Sequence, residues 1–424
     1  MGQASTDIGA VLRGARCAAR LTQAQVGKAC GYSASAVSRI ESGKLRPDYA
    51  SLLRFAAFLG VGDDQLRASA VPGMVKVATV AQSYPVDEED DVRRRNLLTG
   101  AMGAGAVAVM GTGSASAAPL DLEVSLFRLP PAKPVPLPRL VQQIAAARQD
   151  YCAVQYNRLA QVLPRLIAAA EATRDASSGR ARDEAHLALA RTYVLAAELA
   201  SKQHSDATWV AADRALSAAR SSGIPVAVGE ASRMLAIAMR RSGRPAVAVQ
   251  MLTSEAADLD AAHDQTRAVR TSLLLTGAYS AAAGHDRNTA LDLMAEAGEE
   301  LGHQDTTAPG LFTVDATPAQ VDAYRISVFN ALGTPDEGVT IANRLDVDRM
   351  PTAERRARAW TDIARMWNAL GDGQKTFDAL QRVEQEAPQE MRRPALRALT
   401  AGLLYGPTRL EGVRKFASRT GALT

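Results

Sequence analysis

Aromatic residues are scarce in this chain: Phe, Trp and Tyr make up 4% of its 424 residues. Cysteine is scarcer still, present only as Cys17, Cys30 and Cys152. Three scattered thiols make neither a disulfide framework nor a metal cluster, and they fit a reducing cytoplasm. Cys17 and Cys30 fall at core positions of short helices, where a thiol packs as a small hydrophobe. The histidines His186, His204, His263, His285 and His303 show no i,i+4 pairing and no neighbouring cysteine, so no metal site is expected. A phosphate-binding glycine loop, a Gly-x-Ser-x-Gly turn and carboxylates in a paired geometry are all missing. No catalytic residue and no cofactor is therefore assigned, and the chain is not expected to be an enzyme.

What the sequence has in quantity is alanine and length. At 424 residues it is too long for one core, so two or more domains are expected. Hydrophobic residues reach 47%, enough to fold. Alanine has the best helix propensity and lets helices pack closely, which points to an all-α protein. The net charge of +4 is unevenly placed. Residues 1–70 carry nine basic and five acidic residues, and the remaining chain is neutral. A basic end on a neutral body suits a polyanion-binding module joined to a separate sensor.

Within residues 7–70 the pattern reads as five short helices. Asp7 caps a first helix whose apolar positions Ile8, Val11, Leu12 and Ala15 recur at helical spacing. Thr22 caps a second helix that runs to Cys30, and Gly31-Tyr32 makes a tight turn. Ser33 caps a third helix, Ala34 to Ser42, with Val37 and Ile40 inward and Gly43 ending it. Ala24, Gly27 and Ala29 supply small residues where the second and third helices cross. Pro47-Asp48 opens a fourth helix with Leu52, Leu53, Ala56 and Leu59 inside, and a fifth follows Asp63-Asp64. Two short helices joined by a glycine-containing turn in a basic domain make a helix-turn-helix.

The landmarks Leu12-Arg13-x-x-Arg16, Leu21-Thr22-Gln23, Gly31-Tyr32-Ser33 and Val37-Ser38-Arg39-Ile40-Glu41-Ser42-Gly43-Lys44-x-x-Pro47 resemble the phage-repressor (Cro/cI, or xenobiotic-response-element) family. Arg20 stands where that family usually has Gly, and Gly27 where it usually has Ala. The resemblance implies that the third helix enters the major groove of double-stranded DNA, with Ser33, Ala34, Ser35, Ser38 and Arg39 at its leading edge. Arg39 would read guanine with its two-pronged fork, and Ala34 would offer a methyl contact. Gln23, Lys44 and Arg46 would hold phosphates. Arg16 and Glu41 are expected to brace the fold as a pair, and Arg54 and Arg67 to be solvated.

Residues 71–139 read as a linker. Asp87 to Asp91 is an unbroken acidic run. Arg93-Arg94-Arg95-Asn96-Leu97-Leu98 and the small-residue stretch to Ala118 resemble a twin-arginine export signal, but they follow a folded domain instead of opening the chain. The stretch is also too rich in Gly, Ser and Thr for a good membrane span. It reads as a cytoplasmic linker or docking segment, with a membrane tether as the other reading. Such Arg-Arg-x-Leu-Leu segments resemble those that follow helix-turn-helix domains in actinobacterial regulators. The proline-rich stretch 129–138 is expected to be extended and to mark the domain boundary.

From 140 to 424 the pattern repeats as helix, turn, helix, with turn markers at Gly243, Gly284, Gly333, Gly371 and Gly406. The clearest units are 226–262, 265–301 and 352–387, about seven helix pairs are expected from 140 onward, and 302–350 is the least regular stretch. Trp360-x-x-Ile363-Ala364-x-x-Trp367-x-Ala369-Leu370-Gly371-Asp372, then Ala379-Leu380 and Pro388, resemble tetratricopeptide repeats. The resemblance implies an α-solenoid with the first helix of each pair on a concave face. Candidate lining residues are Tyr151, Tyr156, Arg191, Arg233, Arg270, Tyr279, Tyr324, Asn330, Arg365 and Asn368, which suit an acidic or peptide ligand. The expected function is a cytoplasmic, homodimeric transcriptional regulator whose repeat domain senses a peptide, small molecule or protein partner. The competing class is a repeat-based protein-interaction adaptor, membrane-associated through residues 93–118.

Overall fold

The computed structural model describes residues 8–43, 45, 47, 49–62, 122–260, 262–302, 311–313, 316–406 and 410–423. Asp7, Lys44, Arg46, Asp48, the expected fifth helix with Arg67, the acidic run and the Arg93–Ala118 segment lie outside them. The protein is all-α: a helix-turn-helix region, then a long succession of helices, with no strand among the described residues.

The first region holds α1 (Ile8–Ala18), α2 (Gln23–Cys30), α3 (Ala34–Glu41) and α4 (Tyr49–Leu59). The caps that set these short helices are local and legible. The Thr22 hydroxyl accepts from the Gln25 N–H while the Gln25 side chain accepts from the Thr22 N–H, a reciprocal capping box. Ser33 Oγ accepts from the Ala36 N–H at 3.2 Å. The core gathers Leu12, Val26, Cys30, Tyr32, Val37, Ile40, Leu52 and Phe55. Several inferred core positions are corrected. Cys17 is exposed, because it lies on the outer side of α1. Leu53 is also exposed, and Phe55, two positions on and so on the opposite side of α4, takes the interior place. Ala24 and Ala29 are exposed, so Gly27 alone of the three small residues serves the close approach. A Cβ on Gly27 would stand 2.3 Å from the Tyr32 carbonyl oxygen, so the turn closes tightly only over hydrogen.

The chain is next described at α5 (Leu122–Phe127), a short helix within the stretch read as linker. Residues 129–136 are extended, as their prolines require. Seven helix pairs follow: α6 (Leu137–Cys152) with α7 (Tyr156–Ala176), α8 (Gly179–Lys202) with α9 (Ala207–Ser222), α10 (Pro225–Arg241) with α11 (Pro245–Ala257), α12 (Asp264–Ala283) with α13 (Arg287–Gly302), α14 (Pro318–Ala331) with α15 (Val339–Arg344), α16 (Ala353–Ala369) with α17 (Gly373–Glu386), and α18 (Pro394–Leu404) with α19 (Val413–Arg419).

The sequence explains the starts. Pro225, Pro245, Pro318 and Pro394 occupy first helical positions, where the missing N–H costs nothing. Thr317, Thr352 and Asp372 cap α14, α16 and α17 through their side-chain oxygens. Alanine fills the contacts: α8 and α9 bury six each, which lets two helices approach with little between their backbones. The irregular stretch around 302–350 has a physical reason, since α15 spans only six residues and is reached through a 3-10 turn, Pro335–Gly338.

The repeat body also turns back on itself. The Tyr156 hydroxyl of α7 donates to Glu390 at 2.8 Å, and Lys202 of α8 lies 2.6 Å from Glu354 and 2.7 Å from Glu390. The first two helix pairs therefore share a core with the last two, which includes Leu159, Tyr193, Ile363 and Phe416.

Candidate nucleic-acid interface

The third helix presents Ala34, Ser35 and Ser38 to solvent, with Ser33 and Arg39 half-buried at its edges. Ala36, Val37 and Ile40 face inward. One side of a single helix thus carries every base-facing candidate, and the opposite side anchors it. The brace behind it is the expected pair: Arg16 Nε and Nη2 donate to the two Glu41 oxygens at 2.5 and 3.0 Å, and Arg16 Nη1 donates to the Leu21 carbonyl at 2.9 Å. Burial works against the Glu41 charge, and Arg16 and Gln23 more than offset it, holding the carboxyl below its ordinary range.

Gln23 has a second task that its position alone did not reveal. Its side-chain nitrogen donates to Glu41 Oε2 at 2.9 Å, tying the start of α2 to the end of α3. The nitrogen has a second hydrogen to donate. Arg54 is corrected outright: it is not solvated. Its guanidinium stands 2.8 Å from His285 Nε2 of the repeat body and donates to Ser51 Oγ at 2.7 Å. Arg39 reaches the same body, with Nη1 3.0 Å from Asp336 Oδ2. Sequence reasoning missed His285 and Asp336, because nothing local marks a residue whose partner lies some 230 or 300 positions away.

The ten candidate lining residues do not share one open face. Tyr151, Tyr156, Arg233 and Tyr324 are buried in the interior of the body. There Glu198 pairs with Arg148 at 2.5 Å and with Arg233 at 3.5 Å. Arg191 stacks over Phe312, and the Phe312 and Thr313 N–H groups donate to the buried Glu230 at 2.7 and 2.8 Å. Tyr279 lies under Arg240, with the guanidinium 4.5 Å from its ring centre. Arg270 pairs sideways with Glu296 and Glu300, and Asn330 donates to the Asp362 carbonyl. Arg365 leans toward Asp362, and Asn368 is exposed. The closure of the first pairs onto the last converts much of the supposed concave lining into an internal ionic core.

A separate cavity of about 550 Å³ lies among α5, α7, α8 and α9, lined by Phe127, Arg174, His186, Tyr193, Asp213 and Arg214 together with smaller side chains. None of the ten candidates lines it. Tyr193 donates to Glu171 there, and the buried Nδ1 of His186 has no hydrogen-bond partner among the described residues. Burial, with Arg174 and Arg182 adding to it, keeps His186 below its ordinary pKa. Among the described residues no cluster of His, Cys, Asp and Glu is arranged to hold a metal ion, and no helix is long and apolar enough to cross a membrane.

Comparison with known proteins bears on the first region alone. The family model described as helix-turn-helix domain matches residues 7–70. No curated protein and no solved structure matches the chain. The chain thus carries a helix-turn-helix domain of the DNA-binding kind at its N-terminal end, followed by a helical body.

Proposed function

We propose that the protein is a sequence-specific, cytoplasmic transcriptional regulator of the phage-repressor type, whose tetratricopeptide-like body senses an effector. The observation that carries the reading is the face of α3. Ala34, Ser35 and Ser38 are exposed together beside Arg39, on a helix locked from behind by Arg16 and Glu41. Small side chains at the leading edge let the helix sit deep in a major groove, and the one long cation supplies directional readout. Gln23 and, by the family resemblance, Lys44 and Arg46 would hold the flanking phosphates.

The body offers an effector two kinds of place. Its interior holds its own ion pairs and Phe312, and a separate cavity of about 550 Å³ lies beside Phe127. Arg174 and Arg214 there are balanced by Glu171 and Asp213, and with the His186 Nδ1 that has no hydrogen-bond partner among the described residues they suit a small polar ligand without a strong net charge. One such domain covers only half a site, so a homodimer held through the repeat body would read a palindrome with half-sites one helical turn apart. Selection of duplexes from a random pool by the full chain tests the reading. Enrichment of a palindrome is expected, and the absence of any enriched sequence at low salt would overturn it. Light scattering that gives a monomer on the operator would overturn the dimer.

A further inference from the structure

Among the described residues, contacts between the helix-turn-helix region and the repeat body gather at the turn before α3, at the end of α3 and on α4. Arg39 of α3 pairs with Asp336, whose side chain is only 6% exposed. Arg54 of α4 pairs with His285, just past the end of α12. Tyr32, buried in the turn before α3, lies directly over Gly333, where a Cβ would stand 2.2 Å from the Tyr32 hydroxyl oxygen. Leu370, at the end of α16, packs against the core of the first region.

We infer that these contacts form an autoinhibitory clasp, in which the repeat body holds the DNA-binding region by the guanidinium that would otherwise read a base. The inference rests on the reading of α3 as the base-reading helix. A carboxylate and the major-groove edge of guanine both present acceptors to the same arginine fork, and the Nη1 that Asp336 engages is withdrawn from a two-pronged grip on the base. The clasped state and the base-reading state of Arg39 are therefore mutually exclusive. Asp336 also sets a negative charge beside the surface that must approach a polyanion, so bound DNA and the docked body repel each other.

The local architecture aims Asp336 at this task. Its neighbour Glu337 is engaged by Arg287 at 2.6 Å and Asp336 Oδ2 faces Arg39, while the second oxygen of each carboxylate has no hydrogen-bond partner among the described residues. A half-satisfied carboxylate makes a hold that is specific but releasable. Gly333 takes φ +70°, which favours glycine, and its bare Cα gives the Tyr32 ring its seat. The two ends of the hold lie on successive helix pairs, His285 after α12 and Asp336 after α14. A change in how those pairs stack would move the two anchors relative to each other and so loosen the clasp. Ala34, Ser35 and Ser38 stay exposed throughout, so the clasp withholds the specific reader and leaves the rest of the helix face open.

The test uses the full chain and the duplex it selects. Asp336→Asn and the double variant His285→Ala/Asp336→Asn are compared with the wild type by fluorescence anisotropy. Both variants are expected to bind more tightly, by about 5- to 150-fold, the range of ordinary coupling between sites. Glu384→Gln makes the same charge change on α17, where Glu384 pairs with Arg419, and is expected to leave affinity unchanged. Hydrogen exchange of the backbone amides in 31–41 and 333–338 should quicken together in the double variant. Folded variants that bind no more tightly than the wild type, or exchange unchanged in both segments, overturn the clasp while the DNA reading stands. Equal tightening by Glu384→Gln also overturns it, since bulk charge would then be the cause. If neither wild type nor variants select any duplex, the DNA reading fails and the clasp falls with it.

Discussion

Arg16 of α1 and Glu41 of α3 meet across the helix-turn-helix core in a two-pronged pair at 2.5 and 3.0 Å, with the Glu41 side chain only 4% exposed. A buried carboxylate depends on its partner more than the pair contributes by existing, because loss of the arginine leaves an uncompensated charge. Arg16→Met should therefore destabilise this region by about 3 kcal/mol. It should also loosen α2, since Gln23 leans on the same carboxylate. Glu41→Gln with Arg16→Met, which removes the charge as well, should recover part of the loss. Chemical denaturation followed by helix content reads both, and a single variant as stable as the double would refute the dependence.

Arg20 takes a left-handed backbone conformation, φ +55°, just after α1, where its N–H donates to the Cys17 carbonyl at 3.0 Å and the Leu21 N–H to the Arg16 carbonyl at 3.1 Å. A side chain at such a helix exit strains the backbone, and glycine does not. Arg20 is exposed, so little is lost with its side chain. Arg20→Gly is expected to raise stability by up to about 1 kcal/mol, visible as a higher melting temperature. A lower one would mean that the exposed guanidinium does unseen work.

These two residues illustrate what the sequence disclosed and what it withheld. Arg16–Glu41 was legible because both belong to a short, densely marked motif. The helix pairs were legible for a similar reason: Gly243, Gly333 and Gly371 take left-handed backbone conformations just past the ends of α10, α14 and α16. The conformation of Arg20 was marked only as a departure from a usual glycine. Cys17 and Leu53 were misplaced because a short helix pattern leaves the boundary of its buried face uncertain by one position. The partners His285 and Asp336 were invisible, since they act only through a long-range docking. The ten candidate lining residues followed from an open solenoid, and the closure through Tyr156, Lys202, Glu354 and Glu390 redistributes them.

Arg39→Ala separates base reading from phosphate holding. If Arg39 forks a guanine, specificity relaxes at a single base pair by about 1–3 kcal/mol, and the other positions keep their preference. Loss of the Asp336 contact in the same variant shifts affinity evenly over all sequences, so the position-specific change is the diagnostic one. Repeating the duplex selection with the variant reads it. An unchanged preference at every position would remove Arg39 from the reading face.

The internal ionic core makes the repeat body sensitive to acid. Burial disfavours the Glu390 charge, but Lys202 and Arg393 override it and hold the carboxyl at about 2, below its ordinary 4.5. Glu354 is likewise depressed: burial opposes its charge, and Lys202 and Arg355 prevail. A carboxylate with a depressed folded-state pKa contributes stability above its unfolded pKa and loses it as pH falls toward the folded value. Stability should therefore hold near neutrality and decline from about pH 4.5 toward 2, the interval over which the unfolded chain takes up protons first. Lys202→Met removes the cation shared by both carboxylates. It should cost about 3–5 kcal/mol at pH 7. The acid decline should also become shallower, because Glu354 and Glu390 would then titrate nearer their ordinary values in the folded state. Thermal melts of the full chain at several pH values between 7 and 3 measure both effects, and a variant with wild-type stability and an unchanged acid slope would show that the closure is held by something other than Lys202.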